Sequence, residues 1–233
     1  MKLQEIAQAF DKLSKNYDLI SYTMSFGVTI YWRKKLIHQA SQIINKNGNP
    51  QYILDLCSGT GDIAIGIYQK SKNKNVRIIA LDISFGMLKK LKEKIRPVEN
   101  IVPILADIYQ MPFKNKSFLL STMSFGARSL MENEKDFQGY FKEIYRTAKI
   151  MVNLETSHPK NSIIKTLYYS YLYFVIIILG GVFFPHYNKE YFRTIINFPS
   201  LEKFSEILKN AGYKEIQTFP LLFGMAAIHI AYE

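Results

Sequence analysis

The chain has 233 residues, 48% of them hydrophobic, enough to bury the core of one α/β domain. Its formal net charge of +11 favours anionic partners, yet the lysines are scattered and form no dense basic tract of the kind that grips nucleic acid. The single cysteine, Cys57, excludes an internal disulfide, and the amphipathic stretch Met1 to Phe10 does not read as a secretory signal.

Apolar spacing at Leu3, Ile6, Ala7, Phe10 and Leu13 predicts a helix over 2–20, and a second helix is expected over 32–46. Gly48-Asn49-Pro50 then breaks the pattern. A regular alternation follows: strand Tyr52 to Leu56, helix Ile63 to Lys70, strand Val76 to Leu81, helix Gly86 to Ile95 and strand Ile101 to Leu105. Strand Ser117 to Met123, helix Glu134 to Thr147 and strand Ile150 to Leu154 continue it. From Thr166 to Pro185 there is no charged residue, and Leu172 to Leu179 is almost wholly apolar. A membrane span needs roughly twenty apolar residues. Here Tyr168, Tyr169, Tyr171 and Tyr173 dilute the stretch, Gly180, Gly181 and Pro185 break it, and its flanks belong to one sheet. The segment 160–187 therefore reads as an apolar lid insert. Helix Leu201 to Ala211, ended by Gly212, leads to strands Tyr213 to Phe219 and Met225 to Tyr232, joined by a turn containing Pro220 and Gly224.

Strands alternating with helices imply parallel pairing with right-handed crossovers. The expected fold is α/β, a doubly wound Rossmann-like sheet of seven strands closed by a C-terminal antiparallel hairpin, the class I methyltransferase variant. Residues 1–233 are read as a single domain, with 1–47 as an N-terminal helical lid.

The strongest local signal is Ile53-Leu54-Asp55-Leu56-Cys57-Ser58-Gly59-Thr60-Gly61-Asp62, a strand running through a glycine-rich turn into a helix. Gly59 and Gly61 let backbone approach a ligand closely, and the helix start presents free N–H groups. The third glycine of the dinucleotide fingerprint is missing. The Asp55-x-x-x-Gly59-x-Gly61 form instead resembles the S-adenosylmethionine loop, in which an acid at the strand end faces the amino group of the ligand's methionine. Asp82 ends the next strand, about twenty residues on, where a carboxylate accepts from both ribose hydroxyls. Asp107 follows the third strand, beside the adenine in this fold. Each acid alone reads equally well as a loop or helix cap; three at the ends of successive strands define one ligand edge.

The chain resembles the ubiquinone/menaquinone biosynthesis C-methyltransferase family along nearly its whole length. The resemblance is carried by Tyr17-Asp18-Leu19-Ile20-Ser21-Tyr22-Thr23-Met24-Ser25-Phe26-Gly27 with Trp32-Arg33, by the loop Leu54 to Asp62, and by Ala106-Asp107 with Met111-Pro112-Phe113. Ser124-Phe125-Gly126-Ala127-Arg128 and Gly224-Met225-Ala226-Ala227-Ile228-His229 complete it. It implies contacts to the cofactor from Thr60, Asp82, Asp107, Ile108 and Ser124, which with Asp55, Gly59 and Gly61 of the turn and Ile83 beside Asp82 make up the expected cofactor-binding set. Tyr17 and its neighbours would cover the cofactor, S-adenosyl-L-methionine, which leaves as S-adenosyl-L-homocysteine. The acceptor implied is a reduced prenylated quinone precursor, demethylmenaquinol first, with a ubiquinol precursor kept open. The family's asparagine and histidine are replaced by Ser21 and Thr29, and its Lys-Pro-Gly-Gly turn is absent, Lys149 passing directly to Ile150. That turn sits opposite the ligand edge, so altered packing rather than lost activity is expected.

Methyl transfer to a ring carbon needs a hydroxyl to lose its proton. Arg128 is the first candidate to stabilise the developing phenolate, its alternative being an ion pair with Glu132 or Glu134; Tyr17 and His229 are lesser candidates for the proton path. Leu172 to Leu179 with Phe183 and Phe184 suit an isoprenoid tail. The basic surface suits transient contact with anionic lipid, giving a cytoplasmic protein peripheral to the inner face of the membrane. A homodimer stays open. The rival readings are a nucleic-acid methyltransferase, disfavoured because Ser124-Phe125-Gly126-Ala127 replaces an Asn/Asp-Pro-Pro-aromatic tetrapeptide, another lipophilic acceptor, and a non-catalytic S-adenosylmethionine binder. His38, His158, His186 and His229 have no ligand-like spacing, so no metal is expected.

Overall fold

A computed structural model of the chain describes residues 3–47, 51–72, 75–96, 98–131, 137–179, 181 and 188–233. Three helices come first, α1 (Leu3–Leu13), α2 (Tyr17–Met24) and α3 (Val28–Lys46). Then follow β1 (Gln51–Leu56), α4 (Asp62–Lys70), β2 (Val76–Asp82), α5 (Phe85–Lys94), β3 (Ile101–Leu105) and β4 (Phe118–Ser124). After α6 (Ala127–Met131), α7 (Phe137–Thr147) and β5 (Ala148–Thr156) comes the apolar segment. There α8 (Ser162–Leu172) runs into a π-helical stretch, Tyr173–Leu179, and α9 (Asn188–Ile196) returns. The chain closes with α10 (Leu201–Ala211), β6 (Glu215–Leu221) and β7 (Ala226–Tyr232).

The seven strands form one sheet in the order β3-β2-β1-β4-β5-β7-β6. The first five are parallel, and β7 runs antiparallel between β5 and β6. This is the class I methyltransferase sheet expected from the alternation. Successive residues of β1 face opposite layers: Ile53 joins a core built with α3, α4 and α5, while Leu54 and Leu56 join one built with α7 and α10. All three are fully buried, each worth roughly 1.5–3 kcal/mol. A third, smaller cluster of Tyr168, Leu172, Ile176 and Ile195 packs α8 and α9 over the carboxyl edge.

Several boundaries differ from the sequence expectations. The helix expected over 2–20 is two helices. Ser14 turns its hydroxyl back onto the Asp11 carbonyl at 2.7 Å, a local bond that competes with helix continuation, and Asn16 precedes α2. The helix expected from 32 begins at Val28, after Phe26 and Gly27 take left-handed backbone. Pro220 lies inside β6, paired with Ala227, rather than in the turn; β6 is the sheet edge, where a missing N–H costs no ladder bond. The helix expected from Glu134 is described from Phe137, and Gly48, Asn49, Pro50 and Glu134 lie outside the described residues.

The shortened α7–β5 junction has no linker at all: Thr147 ends the helix and Ala148 begins the strand. Arg146 ties it down by donating to the carbonyls of Phe113 at 2.7 Å and Met111 at 3.0 Å. The junction sits at the amino end of β5, away from the acids at the carboxyl edge. No described helix is long and apolar enough to cross a membrane.

Candidate active site

The sheet order reverses between β1 and β4, the point where the carboxyl ends of parallel strands open a crevice. Asp55 is on β1 opposite Thr122 of β4, and that register brings Thr122 Oγ1 to donate to Asp55 Oδ1 at 2.7 Å. Oδ2 makes no well-aligned hydrogen bond. Burial lifts the Asp55 carboxyl from 3.8 to about 7, outweighing the Thr122 hydroxyl and the Ala64 amide. Cys57 takes left-handed backbone in the turn, and burial among carboxylates pushes its thiol well up, which suits packing and not nucleophilic attack.

Gly59 donates its N–H to Asp82 Oδ2 at 2.8 Å, and Ser84 donates to Asp82 Oδ1 at 2.9 Å. Each carboxylate oxygen keeps a further lone pair for a ligand hydroxyl. Burial raises the Asp82 carboxyl despite these bonds. A Cβ on Gly59 would meet nothing within 4 Å, whereas one on Gly61, at φ +88°, would stand 2.1 Å from Leu91 Cδ1. The first glycine faces open space; the second is needed for close packing. Asp107 caps the short helical turn that begins at Ile108, accepting from Tyr109 N at 2.9 Å. Ser124 ends β4 with its Oγ buried and unbonded. Ile83 follows Asp82 at the same edge. The nine residues expected around the cofactor thus lie along the ends of β1 to β4. Four of them, Asp55, Gly59, Thr60 and Ser124, line one narrow cavity of about 30 Å³ together with the lid residue Tyr17, Arg33 and Asp62.

A larger cavity of about 400 Å³ adjoins it, sharing Tyr17 and Arg33. Its walls are mostly apolar, from α1, α2, α3, α8 and the stretch after it, with Trp32, Phe125, Val175 and Ile176 prominent. Arg128 is its buried cation, 5% exposed. The chain leaves β4 through left-handed Phe125 and turns into α6, which aims Arg128 at β5. There Glu155, 1% exposed, accepts from Arg128 Nη1 at 2.5 Å and from its backbone N at 3.2 Å. Arg128 Nη2 donates to the Tyr191 hydroxyl at 2.7 Å, and Nε is buried without a partner. Burial works against the guanidinium charge, but Glu155, Tyr191 and Tyr17 more than offset it. Burial also raises the Tyr17 phenol, so it stays protonated.

Above the glycine turn, Asp18 of α2 accepts from Thr60 Oγ1 at 2.6 Å and pairs with Lys94 Nζ at 2.7 Å. Lys94 also reaches Asp62 at 3.0 Å, and Asp62 pairs with Arg33 at 2.8 Å. Asp11 of α1 accepts from Gly86 N at 2.8 Å and Ser84 Oγ at 2.5 Å, docking α1 on the start of α5.

A sequence model of the ubiE/COQ5 methyltransferase family matches residues 1–233. The chain belongs to that family. It is similar to the ubiquinone/menaquinone biosynthesis C-methyltransferase UbiE of Rickettsia prowazekii (strain Madrid E), 34% identical over 98% of this chain and 92% of the relative. It is also similar to the demethylmenaquinone methyltransferase of Staphylococcus aureus (strain JH9), 30% identical over 99% of this chain and 93% of that one. Among solved structures, a putative S-adenosyl-L-methionine-dependent methyltransferase of Methanococcus maripaludis superposes with a TM-score of 0.60 at 20% identity, covering 96% of this chain and 94% of the other. These structural likenesses speak for the fold.

For a member of this family, the sequence placed the acids and the glycine turn at successive strand ends, where the structure has them, but it did not single out Glu155, Tyr191, Thr122 or Lys94. No local motif marks those four residues; each reaches its partner only through folding. Arg128 pairs with Glu155; Glu132 and Glu134, the partners of its alternative reading as an ion pair, lie outside the described residues. His229 is away from both cavities: its Nε2 lies 3.2 Å from the Leu201 carbonyl, its ring packs edge-on to Phe204, and burial lowers it to about 4. That makes it a packing residue rather than part of a proton path. Leu172, Val175 and Ile176 line the larger cavity, while Phe183 and Phe184 lie outside the described residues.

Proposed function

We propose that the chain transfers a methyl group from S-adenosylmethionine to a ring carbon of a reduced prenylated quinone precursor, demethylmenaquinol first. The observation that carries this reading is the junction of two cavities at Tyr17: an acid-and-glycine crevice beside an apolar chamber holding one buried arginine. The names of the relatives from Rickettsia and Staphylococcus point to the same chemistry.

The residues present fit the cofactor. Asp55 offers a buried carboxylate to its ammonium, the unbonded Ser124 hydroxyl offers a further polar contact, and Asp82 offers lone pairs to ribose hydroxyls. Asp107 and Ile108 would border the adenine. When bound, S-adenosylmethionine supplies the methyl group on a positively charged sulfur. The chain's own part is alignment, water exclusion and charge. The apolar chamber encloses the ring, and Arg128 stabilises the phenolate that would form as a ring hydroxyl passes its proton to a solvent water; once the methyl group has joined the ring carbon, that carbon's own hydrogen leaves as a proton and the aromatic ring is restored. An arginine stays protonated, so it serves as an electrostatic partner and not as the base. Tyr17 stands between the two cavities as the gatepost of a lid formed by α1 to α3. A hydroquinone is electron-rich at the carbon ortho to its hydroxyl and an oxidised quinone is not, so the reaction requires the reduced ring. The basic surface supports transient contact with anionic lipid, from which a prenylated acceptor would be drawn.

The test is transfer from labelled S-adenosylmethionine to demethylmenaquinone with and without reductant. Label in the quinone only with reductant is the expected result. Cofactor binding without transfer to any prenylated quinol would overturn the acceptor.

A further inference from the structure

Three separate segments meet at the mouth of the large cavity. The α2–α3 turn and α8 touch through the Tyr171 hydroxyl on the Met24 carbonyl at 2.7 Å. The β6–β7 turn joins them where Tyr168 donates to the Met225 carbonyl at 3.3 Å. Each segment lines the chamber and at the same time presents large apolar side chains to solvent: Phe26 at 76% exposure, Leu167 at 66% and Leu222 at 46%, with Phe223 beside it at 73%. Isolated exposed apolar residues are ordinary, but a ring of them around an apolar opening marks a contact surface.

The backbone adds an independent sign. Phe26, Leu222 and Phe223 all adopt left-handed conformations, at φ 47°, 42° and 55°. Bulky residues rarely do so, and each is followed within two residues by a glycine, Gly27 or Gly224, that is itself left-handed. Both turns are therefore built to hold an aromatic tip outward, against local preference and without burial in return.

We propose that Phe26, the exposed face of α8 at Ile163 and Leu167, and the tip Leu222–Phe223 form a rim that seats in the headgroup layer of an anionic bilayer, so that the chamber opens toward the acyl chains. Charge selects this occupant. Residues 19–38, 157–179 and 216–225 carry Arg33, Lys34, Lys35, Lys160 and Lys165 and no carboxylate. Arg33 and Lys160 are paired with Asp62 and Glu202, while Lys35 and Lys165 lie over the rings of Tyr31 and Tyr169 on α3, which follows Phe26, and on α8. A two-fold contact between copies would set cations against cations, whereas acidic headgroups neutralise them. The purpose of the rim, drawing a prenylated ring from the bilayer, rests on the proposed function; its existence does not.

The test uses the full chain, the Phe26→Asn/Phe223→Asn variant and vesicles of phosphatidylcholine with or without phosphatidylglycerol. Asparagine tolerates left-handed backbone, so the variant is expected to melt no lower than the parent. The parent should sediment with the phosphatidylglycerol vesicles and be released by high salt, and the variant should bind at least ~tenfold more weakly. If the variant melts lower, Leu167→Gln on the helix surface takes its place under the same criteria. Equal sedimentation of parent and variant overturns the rim, as does failure of the parent to sediment. A concentration-dependent dimer in analytical ultracentrifugation that the variant loses, with no vesicle binding, assigns the surface to a second copy instead. Vesicle binding without methyl transfer to any quinol would remove the proposed acceptor and leave the rim standing.

Discussion

Arg128 is held by Glu155 and Tyr191 in a wall that is mostly apolar, so its charge depends on few polar partners. Replacing Glu155 by glutamine keeps the shape and removes the balancing charge. A buried cation left alone costs ~3–5 kcal/mol, so Glu155→Gln should melt well below the parent. Arg128→Ala should lower turnover by about two to three orders of magnitude, the usual loss for one electrostatic contact to a developing oxyanion, with little change in cofactor affinity by calorimetry. Equal losses in both would count against its role. Asp55 makes a prediction with a definite sign. Its carboxyl rises from 3.8 to about 7 on folding, so the folded protein binds more protons than the unfolded chain between those values. Stability contributed at this site therefore falls as pH rises from about 4 to 7, and Asp55→Asn should remove that fall. An ammonium group placed beside Asp55 favours the ionised form. Cofactor affinity measured by calorimetry should accordingly increase from pH 5.5 to 7.5, with proton release, and the increase should flatten in Asp55→Asn.

At the scale of elements, α2 is fastened over the glycine turn by Asp18, through Thr60 and Lys94. Burial works against the Asp18 charge, but those two bonds hold its carboxyl below the usual range. The crevice beneath measures about 30 Å³. Ligand pockets usually run to roughly 300–1,000 Å³, and this crevice spans only the β1–β4 part of the candidate site, so an α2 that lifts would widen the way in for a nucleoside. The fastening is half-exposed, and such pairs contribute ~0.2–1 kcal/mol. Asp18→Asn should thus leave the melting temperature almost unchanged while raising the KM for S-adenosylmethionine about 1.5- to 5-fold. A KM that stays constant, with cofactor release no faster by stopped flow, would show that α2 is not the lid.

Across the whole molecule, the candidate cofactor residues stand at four strand ends, with α1 and α2 tied down beside them, so occupancy is expected to stabilise the entire sheet rather than one loop. Saturation at a hundredfold over Kd adds about 2.7 kcal/mol. For a chain of this size that corresponds to a rise of roughly 5–10 °C in Tm, readable by differential scanning fluorimetry with S-adenosylhomocysteine. A rise confined to the Asp55 and Asp82 parent and absent in a doubly amidated variant would tie the effect to the crevice.

The alternation of strands and helices, the glycine turn between Asp55 and Gly61 and the placement of acids at the ends of successive strands, Asp82 and Asp107 among them, were all legible in the sequence alone. They rest on local spacing, period two in strands and near four in helices, and on residues whose neighbours in sequence are also their neighbours in space. Even the hairpin that closes the sheet was legible, though Pro220 was misplaced because a proline suits an edge strand as well as a turn. The tertiary structure decided what local spacing does not carry. Arg128 meets Glu155 across 27 residues of sequence and Tyr191 across 63, and Thr60 meets Asp18 across 42. The docking of α1 followed the same rule, since Asp11 finds its side-chain partners 73 and 75 residues away. Such pairs form only when separate segments pack. Their energies depend on burial, which a lone sequence position does not reveal.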